Sequence, residues 1–301
     1  MKSKRIAAII LLSILVVGVS VLIINNKPNL KTNGLQVIAS ENFWGNIASQ
    51  LGASHVHVKS IITDPSADPH LYESNAGNAA AVSSADVVIV NGEGYDDFMG
   101  KLLGSSKNSS RQVLTVQQIL DAPDGVNQHF WYDIPRVSEV ASKITDSYIT
   151  KDPSHKVDYQ HNLMVFNHSL QPLLQTISQI KHQYPFTPVA YTEPVPGYLL
   201  NDVGLVVKTP KGFAKSIEDG VDPSPSDGEA MDALMTSKGV RVLLYNAQTK
   251  SPVTEHVKDL AKQAAIPVIG VSETLPTYEK SYQSWQTDQL KQIITALAET
   301  K

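Results

Sequence analysis

Beyond residue 34 the chain alternates short β-branched runs with longer stretches whose apolar positions recur at helical spacing, and it does so twice. The first series of strand candidates is Leu35–Ala39, His55–Ile62, Asp86–Asn91 and Gln112–Val116. The second is Pro188–Thr192, Gly204–Lys208, Val240–Tyr245 and Ile266–Val271. Helices are predicted at Phe43–Leu51, Asn78–Ser84, Tyr95–Leu103, Ser226–Thr236 and Pro252–Ala265. A last one at Tyr282–Ala298 has Trp285, Leu290, Ile293, Ile294 and Leu297 on one stripe. Ser226, beside Pro225 and followed by Asp227 and Glu229, reads as a capped helix start. Strands separated by helices imply βαβ units, so the expected class is α/β, with two lobes each holding a four-stranded, mainly parallel sheet.

Between the two series, Ser154–His182 carries Leu163, Val165, Phe166, Leu170, Leu173, Leu174, Ile177 and Ile180 at helical spacing. This predicts a long connecting helix, bent or less regular near Pro172, which lacks an amide hydrogen. The expected organisation is a signal peptide or membrane anchor at 1–26, a first lobe at 34–152, the connecting helix at 153–184 and a second lobe at 185–301. Gly104–Ser110 reads as a surface loop.

Lys2, Lys4 and Arg5 precede an uncharged apolar run from Ile6 to Ile24, which Asn25, Asn26 and Lys27 end. Nineteen residues at about 1.5 Å rise reach roughly 28 Å, close to the hydrocarbon thickness of a bilayer. A cleavable signal has a shorter apolar core and a small-residue cleavage site, and no such triplet follows Ile24. The expectation is a retained anchor, with a cleaved signal as the alternative. Either way the basic flank stays inside and the remainder lies outside the membrane. The chain has no cysteine, so no disulfide braces the exported part and no thiol there accepts a lipid. A net charge of −4 without a basic cluster beyond the first five residues argues against nucleic acid.

Four potential metal ligands each follow a hydrophobic strand: His70 in Asp68-Pro69-His70, His129 in Gln128-His129-Phe130-Trp131, Glu193 in Thr192-Glu193-Pro194, and Glu273 in Ser272-Glu273-Thr274. Ligands of open α/β sheets bind at the carboxyl ends of strands. Two facing sheets would bring two imidazoles and two carboxylates into one cleft, a donor set suited to a divalent transition metal. Plainer roles exist for each: surface or core histidines, a turn acid before Pro194, a cap at Glu273. His55 and His57 alternate on one strand and read as a half-exposed face. His161 and His168 read as a solvated helix face, and His155, His182 and His256 have no identifiable partner. Glu41 and Asn42 could support the cleft from behind. Trp44, Trp131 and Trp285 read as core or cleft-wall packing.

These stretches resemble the solute-binding proteins of metal-ion (zinc/manganese) ABC importers. The resemblance covers the exported chain and rests on Asp68-Pro69-His70-Leu71-Tyr72-Glu73, Asp86 to Asp96, His129-Phe130-Trp131, Thr192-Glu193-Pro194 with Gly197-Tyr198, Tyr245 to Thr249, and Ser272 to Pro276 followed by Trp285. It implies two βα lobes on a rigid connecting helix, and one transported divalent metal held between them. His70 and His129 fall at the family's first two ligands, Glu193 where relatives carry His or Glu, and Glu273 at an acidic position that is commonly Asp. The His-rich acidic loop of zinc-specialised members is absent from this sequence. The resemblance implies a non-enzymatic monomer on the extracellular face, delivering Zn²⁺ or Mn²⁺ to a membrane permease with a cytoplasmic ATPase. The alternatives are a secreted zinc metallohydrolase, against which no H-E-x-x-H or G-x-S-x-G stands in the sequence, and a cell-surface adhesion protein.

Overall fold

Two parallel four-stranded sheets are threaded in the same order, β2-β1-β3-β4 in the first and β6-β5-β7-β8 in the second. The computed structural model describes residues 34–64 and 72–299. The apolar segment 6–24 and His70 lie outside the described residues. The first sheet comprises β1 (Leu35–Glu41), β2 (Val56–Ile62), β3 (Val87–Val90) and β4 (Gln112–Thr115). The helices α1 (Asn42–Gly52), α2 (Ala76–Ser84), α3 (Asp97–Ser105) and the short α4 (Val116–Ile119) are interleaved with them. The registers Val37↔Val58 and Val37↔Val87 leave β1 flanked on both edges. All of β3, Val87-Val88-Ile89-Val90, is buried, as expected for a parallel strand covered on both faces.

The chain then forms α5 (Val137–Lys151), α6 (Lys156–Ser169) and α7 (Gln171–Gln183) before the second sheet. That sheet has β5 (Pro188–Tyr191), β6 (Val206–Val207), β7 (Leu243–Asn246) and β8 (Val268–Val271). Its helices are α8 (Gly197–Asp202), α9 (Lys211–Glu218), α10 (Pro225–Thr236), α11 (Pro252–Gln263) and α12 (Tyr282–Glu299). The described chain from Leu35 onward is one compact unit. Its largest apolar cluster runs from Val37, Phe43 and Trp44 through Trp131 and Trp285 to Leu297, so both sheets share a core. Phe43 stacks on Trp131 with ring centroids 4.1 Å apart. Truncating a core residue such as Ile47 to Ala would cost about 2–5 kcal/mol.

The connecting segment is helical but divided at Leu170. Pro172 has no amide hydrogen to continue the ladder, and the Leu170 amide turns to the carbonyl of Asn167 at 3.3 Å. The two parts serve different lobes: α6 packs on α1 and α5, and α7 packs on α12. Several local expectations change. α5 has no counterpart among the predicted helices, although Val137, Val140, Ala141, Ile144 and Tyr148 form a buried helical stripe. Its Ser, Thr and β-branched residues mask the helical period. The cap of α10 is Ser224, whose hydroxyl accepts the Asp227 amide, and not Ser226. His55 belongs to a 3₁₀ turn ahead of β2, so it does not share a strand face with His57. It stacks on His155 at 3.9 Å and pairs with Asp158 at 3.1 Å. His155 in turn pairs with Asp152, and His256 with Asp232. Among the described residues no helix is long and apolar enough to cross a membrane.

Candidate metal centre

In each sheet the chain builds one neighbour of the first strand and then crosses to the other side, which opens a crevice at the carboxyl ends, between β1 and β3 and between β5 and β7. Glu193 stands two residues past β5, Asn246 ends β7, and Glu273 stands two residues past β8. Both carboxylates are buried, at 3 % and 1 % exposure. The Asn246 side-chain oxygen accepts the Gln248 amide at 3.0 Å, which turns its NH₂ toward the acids. That NH₂ donates to Glu193 Oε2 at 2.9 Å and to Glu273 Oε1 at 2.5 Å. Gln248 Oε1 accepts the main-chain amide of Glu273 at 2.5 Å and that of Thr274 at 3.2 Å, so the loop after β7 fixes the loop after β8.

The first lobe contributes through the turn that follows β3. Gly92 adopts φ of 84° and Gly94 of 78°, left-handed values that a side chain would strain. Asp96 closes the turn by accepting the amides of Asn91 at 2.7 Å and Gly92 at 2.9 Å. The turn presents Tyr95, whose hydroxyl donates to Glu273 Oε2 at 3.0 Å. Asn91 also donates to the carbonyl of Gln128 at 2.9 Å and accepts the Trp44 indole at 3.2 Å, which ties the His129 loop to the same strand end. His129 is buried. Its ring sits edge-on to Tyr95 at 5.9 Å and to Trp131 at 5.2 Å. Thus Glu193 and Glu273 share one amide, and Glu273 and His129 share one tyrosine.

Behind this layer lies a buried acid pair. Ser40 donates to Glu41 Oε2 at 2.6 Å. Burial, and then the neighbouring charge of Asp96, hold the Glu41 carboxyl well above the usual range. Burial raises Asp96 as well, against the hydrogen bonds it accepts. Asn42 is tied to the loop after β8: its amide exchanges two 2.8 Å bonds with the main chain of Leu275, two residues past Glu273.

The described residues alone include no group of three or more His, Asp or Glu side chains already arranged to hold a metal ion. A cavity of about 640 Å³ opens between Asn127 and Gln128 of one lobe and Pro194, Lys211 and Glu218 of the other. The roles of Asn246, Tyr95 and Asn127 are not singled out by sequence reasoning. The available signal is position: Asn246 ends β7, Asn127 stands two residues before a proposed ligand, and Tyr95 lies in the turn after β3, within the family-like stretch Asp86 to Asp96.

The family model described as "Zinc-uptake complex component A periplasmic" matches residues 37–296. The manganese-binding lipoprotein MntA of Bacillus subtilis is 25 % identical over 238 residues, covering 76 % of either chain. The solved structure of the periplasmic zinc-binding protein TroA from Treponema pallidum is similar with a TM-score of 0.75 at 18 % identity, over 88 % of this chain and 99 % of that one. The solute-binding protein FpvC of Pseudomonas aeruginosa, in complex with Mn²⁺, gives 0.75 at 21 % identity over 89 % and 100 %. At these identities the two structures speak for the fold.

Proposed function

Because the chain belongs to the family of periplasmic zinc-uptake component A proteins, we propose that it captures one divalent transition metal, Zn²⁺ or Mn²⁺, outside the cytoplasm and delivers it to the permease of an ABC importer. The observation that carries this reading is the buried pair Glu193 and Glu273 sharing the Asn246 amide at the carboxyl ends of the second sheet. A dication can take over the role of that amide and neutralise both acids. The proposed ligands are His70, His129, Glu193 and Glu273: two neutral nitrogens and two carboxylates. Raw affinity favours Zn²⁺ by the Irving–Williams order, while bidentate carboxylates accommodate the higher coordination number of Mn²⁺. A zinc-binding and a manganese-binding relative bracket the same choice.

In this reading residues 34–152 and 185–301 are the metal-binding lobes and 153–184 the strut. The protein is a monomer without catalytic activity, held at the extracellular face by segment 6–24 or released after cleavage of 1–26. The metal bridges the lobes and favours the closed arrangement by its differential affinity for it. The divided strut, with one part on each lobe, keeps closure small. The loaded form docks on the permease, and the cytoplasmic ATPase drives transport. Calorimetry with Zn²⁺ and Mn²⁺ tests the site. Stoichiometric binding is expected, weakened at least about 10-fold by His70→Ala, His129→Ala, Glu193→Gln or Glu273→Gln. Unchanged affinity in all four variants would overturn the assignment.

A further inference from the structure

Asn127 makes contacts on both sides of the cleft. Its Oδ1 accepts the main-chain amide of His129 at 3.0 Å and lies 2.6 Å from His129 Nδ1. Its Nδ2 donates to the carbonyl of Pro194 at 2.7 Å, and its own carbonyl accepts the Tyr198 hydroxyl at 2.7 Å. The two backbone partners fix which end of the amide is which. A flipped side chain would set NH₂ against the His129 amide and oxygen against the Pro194 carbonyl, and both contacts would be repulsive. An amide oxygen cannot donate, so the proton between Oδ1 and the ring belongs to Nδ1. The neutral imidazole therefore turns an unprotonated Nε2 the other way.

The second lobe is shaped around this side chain. A Cβ at residue 197 would fall 2.6 Å from Asn127 Nδ2, so glycine is required there for the amide to reach Pro194. The Gly197 amide itself bonds the Pro194 carbonyl at 2.9 Å, and this turn begins at Pro194, the residue after Glu193. Asn127 and Pro194 also line the 640 Å³ cavity, so the contact lies where solvent can compete for it.

Resting on the reading of His129 as a metal ligand, we propose that Asn127 is a positioning residue with two linked roles. It sets the His129 tautomer so that Nε2 can take the metal, and it latches that histidine's loop to the loop carrying Glu193. Metal at Nε2 polarises the ring and strengthens the Nδ1–H···O bond. That bond polarises the amide and strengthens its donation to Pro194. Loading and latching thus reinforce each other, and by linkage a broken latch weakens metal retention.

The full-length protein tests this with three variants, read by the ¹⁵N shifts of the His129 ring without metal and by the rate of Zn²⁺ release to a chelator. The wild type should show the Nδ1–H tautomer. Asn127→Asp keeps the acceptor but cannot donate to Pro194, so it should keep the tautomer and release Zn²⁺ about 10-fold faster. Gly197→Ala should do the same, because it displaces the amide and leaves the ring contact. Asn127→Leu should lose the tautomer preference and about 10–100-fold in Zn²⁺ affinity. An Nε2–H tautomer in the wild type overturns the proposal. So do wild-type release rates in all three variants of a chain that binds Zn²⁺ tightly. A wild-type chain that takes up no Zn²⁺ overturns the metal reading of the preceding subsection, and the proposal with it.

Discussion

Tyr95 and Glu273 meet across the two lobes, the hydroxyl donating to Oε2 at 3.0 Å in a buried setting. The tyrosine comes from the turn after β3 and the acid from the loop after β8, 178 residues apart in the chain. Removing only the hydroxyl isolates this contact. Tyr95→Phe should lower Zn²⁺ affinity by about 10-fold or more, since partners that orient ligating carboxylates typically matter at that level. It should cost about 1–3 kcal/mol of stability, because a bond to a charged group is lost. Calorimetry and urea unfolding report the two effects. A loss of stability with unchanged affinity would separate Tyr95 from the metal centre.

Asn246 stands where a cation would be most useful, its NH₂ shared by Glu193 and Glu273. Asn246→Ala leaves two buried acids facing each other without that donor. The metal-free variant should be less stable by about 1–3 kcal/mol. Zn²⁺ should recover most of that deficit, because the ion neutralises both carboxylates and binding to the folded state adds stability. Thermal unfolding with and without Zn²⁺ checks this. An equal drop in Tm under both conditions would mean that the amide does not hold the pair.

Much of this arrangement is legible in the sequence because parallel strands covered on both faces write continuous apolar runs. Leu35–Glu41, Val56–Ile62 and Val87–Val90 all stand inside or within two residues of the predicted strands, and Glu193 and Glu273 follow β5 and β8 as expected. The less legible parts are those that depend on contacts distant in sequence. β6 shrinks to Val206–Val207 because few of the apolar residues around it find a strand partner. Nothing local to Asn127 or Asn246 announces that an amide there bridges two loops, since the partners stand 67 and 53 residues away. His55 illustrates the reverse: its alternation with His57 suggests a strand, but the ring stacks on His155 at the foot of the strut.

Asp202, at the end of α8, offers a pH-dependent readout. Burial, and next the charge of Asp133, push its carboxyl from 3.8 up to about 7, against the pull of Lys181. The folded protein therefore holds this proton more tightly than the unfolded chain. The associated stabilisation is complete below 3.8 and is lost as pH rises through about 7. Asp202→Asn cannot ionise and escapes the loss. Its stability should match that of the wild type in acid and exceed it by about 1–2 kcal/mol at pH 8, after allowance for solvent screening of a partly exposed group. Urea midpoints across that range give the comparison. Parallel curves at all pH values would show that Asp202 titrates as it does in the unfolded chain.

The lobes are also joined behind the centre, by a ladder of neutral amides. Asn42, Asn46 and Gln50 recur every fourth residue on one face of α1. Asn42 exchanges two bonds with Leu275, Asn46 accepts the Tyr282 amide at 2.9 Å, and Gln50 pairs with Gln283 at 3.0 Å. No rung is an ion pair, so salt should not loosen this side of the junction. The rungs differ in what they support. Leu275 lies two residues past Glu273, a proposed ligand, whereas Gln283 lies on α12. Asn42→Ala strands two main-chain groups and should cost about 1–3 kcal/mol. By releasing the loop after β8 it should also weaken Zn²⁺ binding. Gln50→Ala should cost less than about 1 kcal/mol and leave affinity unchanged. Unfolding at low and high salt, paired with calorimetry, distinguishes the two rungs. Equal effects of both variants on metal affinity would mean that the ladder acts as one rigid hinge, with no rung specifically supporting Glu273.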